Sequence, residues 1–415
     1  MTFTWKRLAV GALATGWLLG GGTVRSADAL ELKLWMTGVG IDKYMKESVI
    51  PQFQKENPGI TIDATNLSWS NYQQKILTGI AGNDGPDVFS FYSVDTAPWA
   101  ARGILAPLDG KVDAAAFLPS ALANGQWDGK IYSLPIGLRM RPLYYREDFL
   151  KAAGFDKPPA TWEDLRSYAQ KLVKKDGAGN VERVGFWVPT NHPYKTNQVW
   201  LTFLWNAGGE VFSPDGKTAI FNSPAGVEAT QFMADMLRID KVDVPGAIKI
   251  DNTDYAQGRV AMLVSNIVTR GLEKNFPQLK PAVGVGFVPG RKAQYVELSG
   301  DMIGVAKGSK HQAEATKLIN FIAARPDIAL KYYEVDQTLP ALKVVADSDY
   351  ARNDPWIPTY LKMAEKARPL PAHPRWTEIA SILTKALDSV YIEGKPTKAA
   401  LDQAAAQANE VLARP

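Results

Sequence analysis

A chain of 415 residues is too long for one small core, and two lobes are its natural reading. With 46% hydrophobic and 22% charged residues it reads as globular, and a net charge of only +4 leaves no electrostatic footprint for nucleic acid or for an anionic membrane surface. The absence of cysteine excludes disulfides, thiolate zinc sites, iron–sulfur clusters and a cysteine-linked lipid anchor.

Residues 1–29 read as a secretory signal peptide. Lys6 and Arg7 form the basic start, Leu8 to Leu19 the apolar core, and Ala27-Asp28-Ala29 the small-x-small cleavage pattern. The apolar run falls short of the roughly 18 residues that a membrane span needs. Cleavage after Ala29 predicts a free periplasmic protein.

Leu30 to Met36 alternates and predicts a strand, with Thr37 in the loop at its carboxyl end, where ligands gather in open α/β sheets. A helix follows from Asp42, with Pro51 expected to bend it. Ile60 to Ala64 predicts a second strand, followed by a loop with Asn66 and Trp69. Ser70 and Gln73 have the spacing of a capping box. Asp87 to Tyr92 predicts a third strand that ends at Ser93-Val94-Asp95. Strand–helix–strand–helix–strand implies a parallel sheet. Asp87 reads as structural. Asp95, just beyond the strand, reads as a ligand candidate because a carboxylate can accept two hydroxyls.

The segment from Gly129 to Gly154 organises the rest. Ile131, Tyr132 and Leu134 are β-prone, and Arg139 and Arg141 interrupt the run beside Pro142. Guanidinium groups in a strand need a cleft, an edge or carboxylate partners. Leu143 to Tyr145 resumes the strand, and Arg146 to Leu150 starts a helix expected to end at Gly154. Pro135, Gly137 and Pro142 mark a chain crossing between lobes. Further on, Thr161 N-caps a helix, Val184 to Val188 predicts a strand, and a polar loop with His192 and Tyr194 follows it. Ser309 and Gln312 have capping-box spacing before another helix.

Several runs carry a resemblance. GKIYSLPIG with LYYREDFLKAAGFDKPPATWEDL (129–165), ARGILAPLD (101–109), YAQGRVAMLVSN (255–266), SGDMIGV (299–305), SKHQAEATKLINFIA (309–323) and TLPA (338–341) occur in the order and spacing of the sugar-binding proteins of ABC importers. The chain resembles family 1 of these solute-binding proteins, the maltose-binding-protein type. The resemblance implies an α/β, two-lobed periplasmic-binding-protein fold with hinge-connected lobes and a central ligand cleft. It implies an N-terminal lobe of 30–138 plus 299–338 and a C-terminal lobe of 139–298 plus 339–415. It also implies a carbohydrate ligand, a membrane permease as partner, a monomer, and no enzyme activity, cofactor or metal. The ligand-binding residues expected are Thr37, Asn66, Trp69, Tyr92, Asp95, Arg139, His192, Tyr194, Asn266, Gly300, Asp301, Arg375 and Trp376. His192 stands where the family often has an acid, and Asn266 where a tryptophan often follows.

A neutral-sugar site needs flat aromatic faces and a set of fixed donors and acceptors. Trp69, Tyr92, Tyr194 and Trp376 are the stacking candidates; Trp35, Trp162, Trp187 and Trp205 read as core. The arginines at 139, 141, 270 and 375 admit a different ligand, an anionic glycoside or glycerol-phosphate-type solute. An enzyme alternative is a glycosidase with Asp95 and Asp301 paired across the cleft. Nucleotide and hydrolase motifs are absent: position 211 is Val where a phosphate loop ending in Gly216-Lys217-Thr218 requires Gly, and no G-x-S-x-G occurs.

Overall fold

The computed structural model describes residues 30–249, 251–266, 269–336 and 338–414. The expected signal peptide lies outside the described residues. The described residues fold as two α/β lobes.

The first sheet holds β1 (Leu30–Thr37), β2 (Ile60–Leu67) and β3 (Val88–Tyr92), all parallel around β1. Leu32, Leu34 and Met36 are buried on β1 at alternate positions, so the period-two pattern is the packing pattern. The helical stretch between β1 and β2 is divided by a π turn at Met45–Val49, after which Ile50–Glu56 restarts with Pro51 in its first turn. A proline there sacrifices only an amide that needs no helical partner. Neither expected capping box forms. The helix Tyr72–Ala81 has Asn71 at its cap, and Gln73 turns instead to Asp95. Before Gln312–Ala323, Ser309 donates to Asp87 rather than capping the helix. Asp87 also accepts from the Lys33 amide, which makes it a brace between sheet and helix. At Thr161 a capping box does form, with Asp164.

A small hairpin, β4 (Gln126–Trp127) and β5 (Lys130–Ile131), turns through Asp128 and Gly129, both with positive φ (50° and 71°). β6 (Ser133–Arg141) then pairs antiparallel with the late strand β12 (Val296–Val305) in the first sheet. Pro142, which has no amide to donate, ends that ladder. The next strand, β7 (Leu143–Arg146), belongs to a second sheet, together with β8 (Lys174–Lys175), β9 (Val181–Trp187), β10 (Val260–Val264) and β11 (Val283–Gly286), in the order β11-β7-β10-β9-β8. β12 returns the chain to the first sheet, pairing with β3, β6 and β13 (Ala367–Pro369).

The helices sort with the sheets. Gln312–Ala323 and Pro326–Asp336 pack on β6 and β12, whereas Trp376–Tyr391 and Thr397–Leu412 pack against the second-lobe helix Pro224–Arg238. The boundary expected at 338/339 lies within a stretch that stays on the first lobe. Leu339 bridges Leu138, and the Leu118 amide donates to Ala341. The boundaries expected near 138 and 299 fall inside β6 and β12, because both strands continue their ladder past those points.

Candidate functional site

β12 is buried over its whole length, yet Glu297, Ser299 and Asp301 recur at alternate positions along it. Period two puts them on one face. β6 supplies their counterparts, with Arg141 in register with Glu297 and Arg139 with Ser299. Arg141 Nε lies 2.7 Å from Glu297 Oε2. Arg139 Nη2 donates to Asp301 Oδ2 at 2.7 Å and to Asp336 Oδ2 at 2.8 Å, so one guanidinium bridges two carboxylates. Asp336 closes the helix Pro326–Asp336, and burial, then the neighbouring Asp301, push its carboxyl above the usual range. Burial likewise raises Glu297, against the pull of Arg141. Tyr92, at the end of β3, donates its hydroxyl to Ser299 Oγ at 2.6 Å.

This ladder forms one wall of a cleft of about 360 Å³. The first lobe adds Trp69 and Tyr72. The second lobe adds His192, Tyr194, Lys195, Gln198 and Asn266. Trp69 and Tyr194 are 40% and 47% exposed, which is unusual for rings of that size and leaves their faces available. His192 Nδ1 accepts from the Tyr194 and Lys195 amides at 3.2 and 3.1 Å, which sets the entry to the helix Lys195–Asn206 and places the ring proton on Nε2. The ammonium of Lys195 lies 5.4 Å from the centre of the Trp187 ring. A second cavity, about 400 Å³, adjoins the cleft, shares Val94, His192, Tyr194 and Gln198 with it, and reaches the helix Trp376–Tyr391.

Among the residues singled out in the sequence, Trp69, Tyr92, Arg139, Arg141, His192, Tyr194, Asn266 and Asp301 line the cleft. Thr37, Asn66, Asp95, Gly300, Arg375 and Trp376 do not. Thr37 is buried and bonds Ser90, with its hydroxyl 2.9 Å from that of Ser90, tying β1 to β3. Asn66, the next-to-last residue of β2, lies opposite Met36 and stays in the sheet. Gly300 lets β6 and β12 approach: a Cβ there would lie 2.7 Å from the Gly137 carbonyl. Arg375 caps the start of the helix Trp376–Tyr391, its amide donating to His373 Nδ1. Trp376 is 3% exposed, packs edge-on to Phe212 at 6.2 Å, and touches the second cavity rather than the cleft. The side chain of Arg270 lies outside those described.

Asp95 needs the plainest correction. It lies behind the cleft wall, 2% exposed, accepting from the Tyr72 hydroxyl at 2.5 Å and from Gln73 Nε2 at 2.8 Å. The pairing with Asp301 expected for a glycosidase is therefore not formed. Burial raises its carboxyl to about 6, and the two hydrogen bonds only partly oppose this. A raised acid is stabilising while protonated, and that contribution is lost as pH rises through about 6. Asp95→Asn is therefore expected to gain on the wild type by about 1–3 kcal/mol at pH 7.5, with the gain shrinking towards pH 4. Thermal melts at both pH values check this; a pH-independent difference would refute it.

Tyr72, Val94, Lys195, Gln198, Glu297 and Asp336 were missed as site residues. For Glu297 the signal was present: Val-Glu-Leu-Ser-Gly-Asp places a polar residue at every second position of a strand. Asp336 carries no local signal, since only the packing of its helix on β6 brings it to Arg139.

A family model, bacterial extracellular solute-binding protein, matches residues 38–327. The chain belongs to this family. Among relatives of this solute-binding protein, a Brucella abortus (strain 2308) protein described only as a binding protein is 28% identical over 93% of this chain and 94% of its own. The sn-glycerol-3-phosphate-binding periplasmic protein UgpB of Escherichia coli (strain K12) is 25% identical over 89% of each chain. Among solved structures, an ABC transporter solute-binding protein of Thermotoga lettingae bound with alpha-D-tagatose superposes with a TM-score of 0.80 at 23% identity, over 92% of this chain and 100% of that one. The sugar-binding protein MalE of Xanthomonas citri gives 0.80 at 21% identity, over 92% and 97%. These likenesses show the two-lobed fold. Among the described residues, no helix is long and apolar enough to cross a membrane.

Proposed function

We propose that this solute-binding protein captures a neutral carbohydrate between its lobes and delivers it to the permease of an ABC importer, working as a periplasmic monomer after removal of residues 1–29. The observation that carries the reading is the charge balance of the cleft. Arg139 is met by Asp301 and Asp336, and Arg141 by Glu297. Guanidinium groups already spent on carboxylates hold those carboxylates as fixed hydroxyl acceptors, and they offer an anion little. Trp69 from one lobe and Tyr194 from the other supply ring faces for the C–H side of a sugar. A ligand contacting both lobes favours the closed form; one contacting a single lobe would not.

UgpB keeps glycerol phosphate in view as a second reading, and Lys195 at the cleft is the residue that would favour it. A thermal-shift panel of D-tagatose, sucrose, trehalose, maltose, maltotriose and sn-glycerol 3-phosphate separates the two. A neutral sugar at about 100 times its Kd is expected to stabilise the protein by roughly 2.7 kcal/mol. A shift with glycerol 3-phosphate alone, or with none of the panel, overturns the neutral-sugar reading.

Tyr194→Ala is expected to weaken the sugar that binds by about 1 kcal/mol or more, roughly fivefold in Kd, with the melting temperature of the free protein unchanged because the ring is half exposed. Isothermal titration and a melt of the free variant check both halves. An unaltered Kd would remove Tyr194 from the site.

A further inference from the structure

Gln198 is the cleft residue with an unfinished hydrogen-bond account. It lies in the first turn of the helix Lys195–Asn206, is 2% exposed, and lines both the cleft and the second cavity. Its Oε1 is buried and has no hydrogen-bond partner in the structure. Native proteins seldom leave a buried acceptor empty, and each such atom needs a reason.

The backbone amides around Gln198 and the Asn197 side chain are already committed. The amides of Tyr194 and Lys195 go to His192 Nδ1, the His192 amide goes to Thr196 Oγ1, and the Gln198 amide goes to the Tyr194 carbonyl. Asn197 Nδ2 is shared between the Pro193 carbonyl and Thr384 Oγ1. These bonds hold the loop and the first helical turn in place, so Gln198 is rigidly presented where the two cavities meet. The terminal amide torsion is soft, so either end of the amide can face the cavities at little cost.

We propose that Gln198 is a specificity-determining residue, whose amide oxygen takes a hydrogen bond from a ligand hydroxyl at the junction between the cleft and the second cavity. This rests on the carbohydrate reading and adds a chemical demand to it. The solute must place an O–H at the junction, because an ether or ester oxygen there offers no hydrogen and leaves the acceptor empty. A site built to hydrogen-bond a hydroxyl rejects an analogue that lacks it, since its own buried polar group is then left unpaired.

The test compares the wild type with Gln198→Met, which keeps length and packing but removes the amide, by isothermal titration with whichever neutral sugar of the panel binds most tightly. The expected result is a loss of affinity of about tenfold with the melting temperature of the free protein unchanged or raised, because the variant no longer buries an unfilled acceptor. A purely structural residue would move the melt and leave the Kd alone. Gln198→Glu, which keeps an acceptor at the same reach, is expected to recover part of the loss and gives the comparison should the methionine variant fail to fold; a glutamate variant no better than a side chain without an acceptor, Gln198→Leu, counts against the proposal. Equal Kd values for wild type and Gln198→Met overturn this inference and leave the carbohydrate reading standing. A wild type that binds no neutral sugar overturns both.

Discussion

Replacing Arg139 by Ala is expected to cost the ligand-free protein about 3–5 kcal/mol of stability at pH 7.5, the usual penalty for breaking a buried ion pair from one side. The guanidinium joins three elements. It grows from β6, bridges to Asp301 on β12 and to Asp336 at the end of the helix Pro326–Asp336. Without it, two carboxylates face each other in a poorly solvated place with no counter-charge. Arg139→Lys should recover only part of the loss, because an ammonium is a point charge and lacks the planar fork that spans both partners. The direction with pH follows from Asp336, whose carboxyl is already raised by burial and by Asp301. Removing the cation raises it further, so the variant regains stability as pH falls and protons bind the folded state. Urea unfolding at pH 7.5 and 5.5 measures this. A loss that does not shrink on acidification would mean that the carboxylates are not what Arg139 restrains. Asp301→Asn added to Arg139→Ala should likewise return part of the stability, since it removes the repulsion rather than restoring the bridge. Because Arg139 braces the cleft wall, its removal should weaken a neutral sugar and glycerol 3-phosphate alike.

Trp376→Ala is expected to lower stability by about 3–5 kcal/mol, the range for deleting a large buried aromatic. Read from the sequence, this tryptophan is a stacking platform whose loss weakens binding without unfolding. The fold places it instead at the head of the helix Trp376–Tyr391, 3% exposed and set edge-on to Phe212 within the second-lobe core. Truncation therefore leaves a cavity, and any loss of affinity follows from the loosened helix. The contrast with Tyr194→Ala is diagnostic, since one change should move the unfolding midpoint and the other the Kd. Equal midpoints for Trp376→Ala and wild type in chemical denaturation of the free protein would restore the tryptophan to the ligand.

The family relation and the site geometry bear differently on the ligand. UgpB shares a quarter of its residues with this chain over nearly its full length, while the solved structures of the Thermotoga lettingae solute-binding protein and of MalE share less sequence and the same fold. Neither comparison assigns a solute, because a two-lobed scaffold is reused and specificity resides in the few side chains at the cleft. The paired arginines and the exposed rings of Trp69 and Tyr194 are therefore the more informative observations.

What the sequence determined by itself was the local order and its grammar. The alternation of Leu32, Leu34 and Met36, the turn at Asp128-Gly129 and the break at Pro142 each depend on neighbours a few residues apart, and each is found as the pattern requires. Arg139 and Arg141 were legible as an anomaly, because charged groups inside an apolar strand demand partners. Who those partners are was decided only in three dimensions. Glu297 and Asp301 arrive on a strand more than 150 residues away, and Asp336 on a helix further still. The same limit explains Asp95, Gly300 and Trp376. Position after a strand or before a helix places a residue near a cleft, but its side chain faces ligand, core or hinge according to how distant elements pack against it. Capping boxes failed for a related reason: Gln73 and Ser309 found stronger partners in Asp95 and Asp87, carboxylates that only the tertiary fold brings within reach.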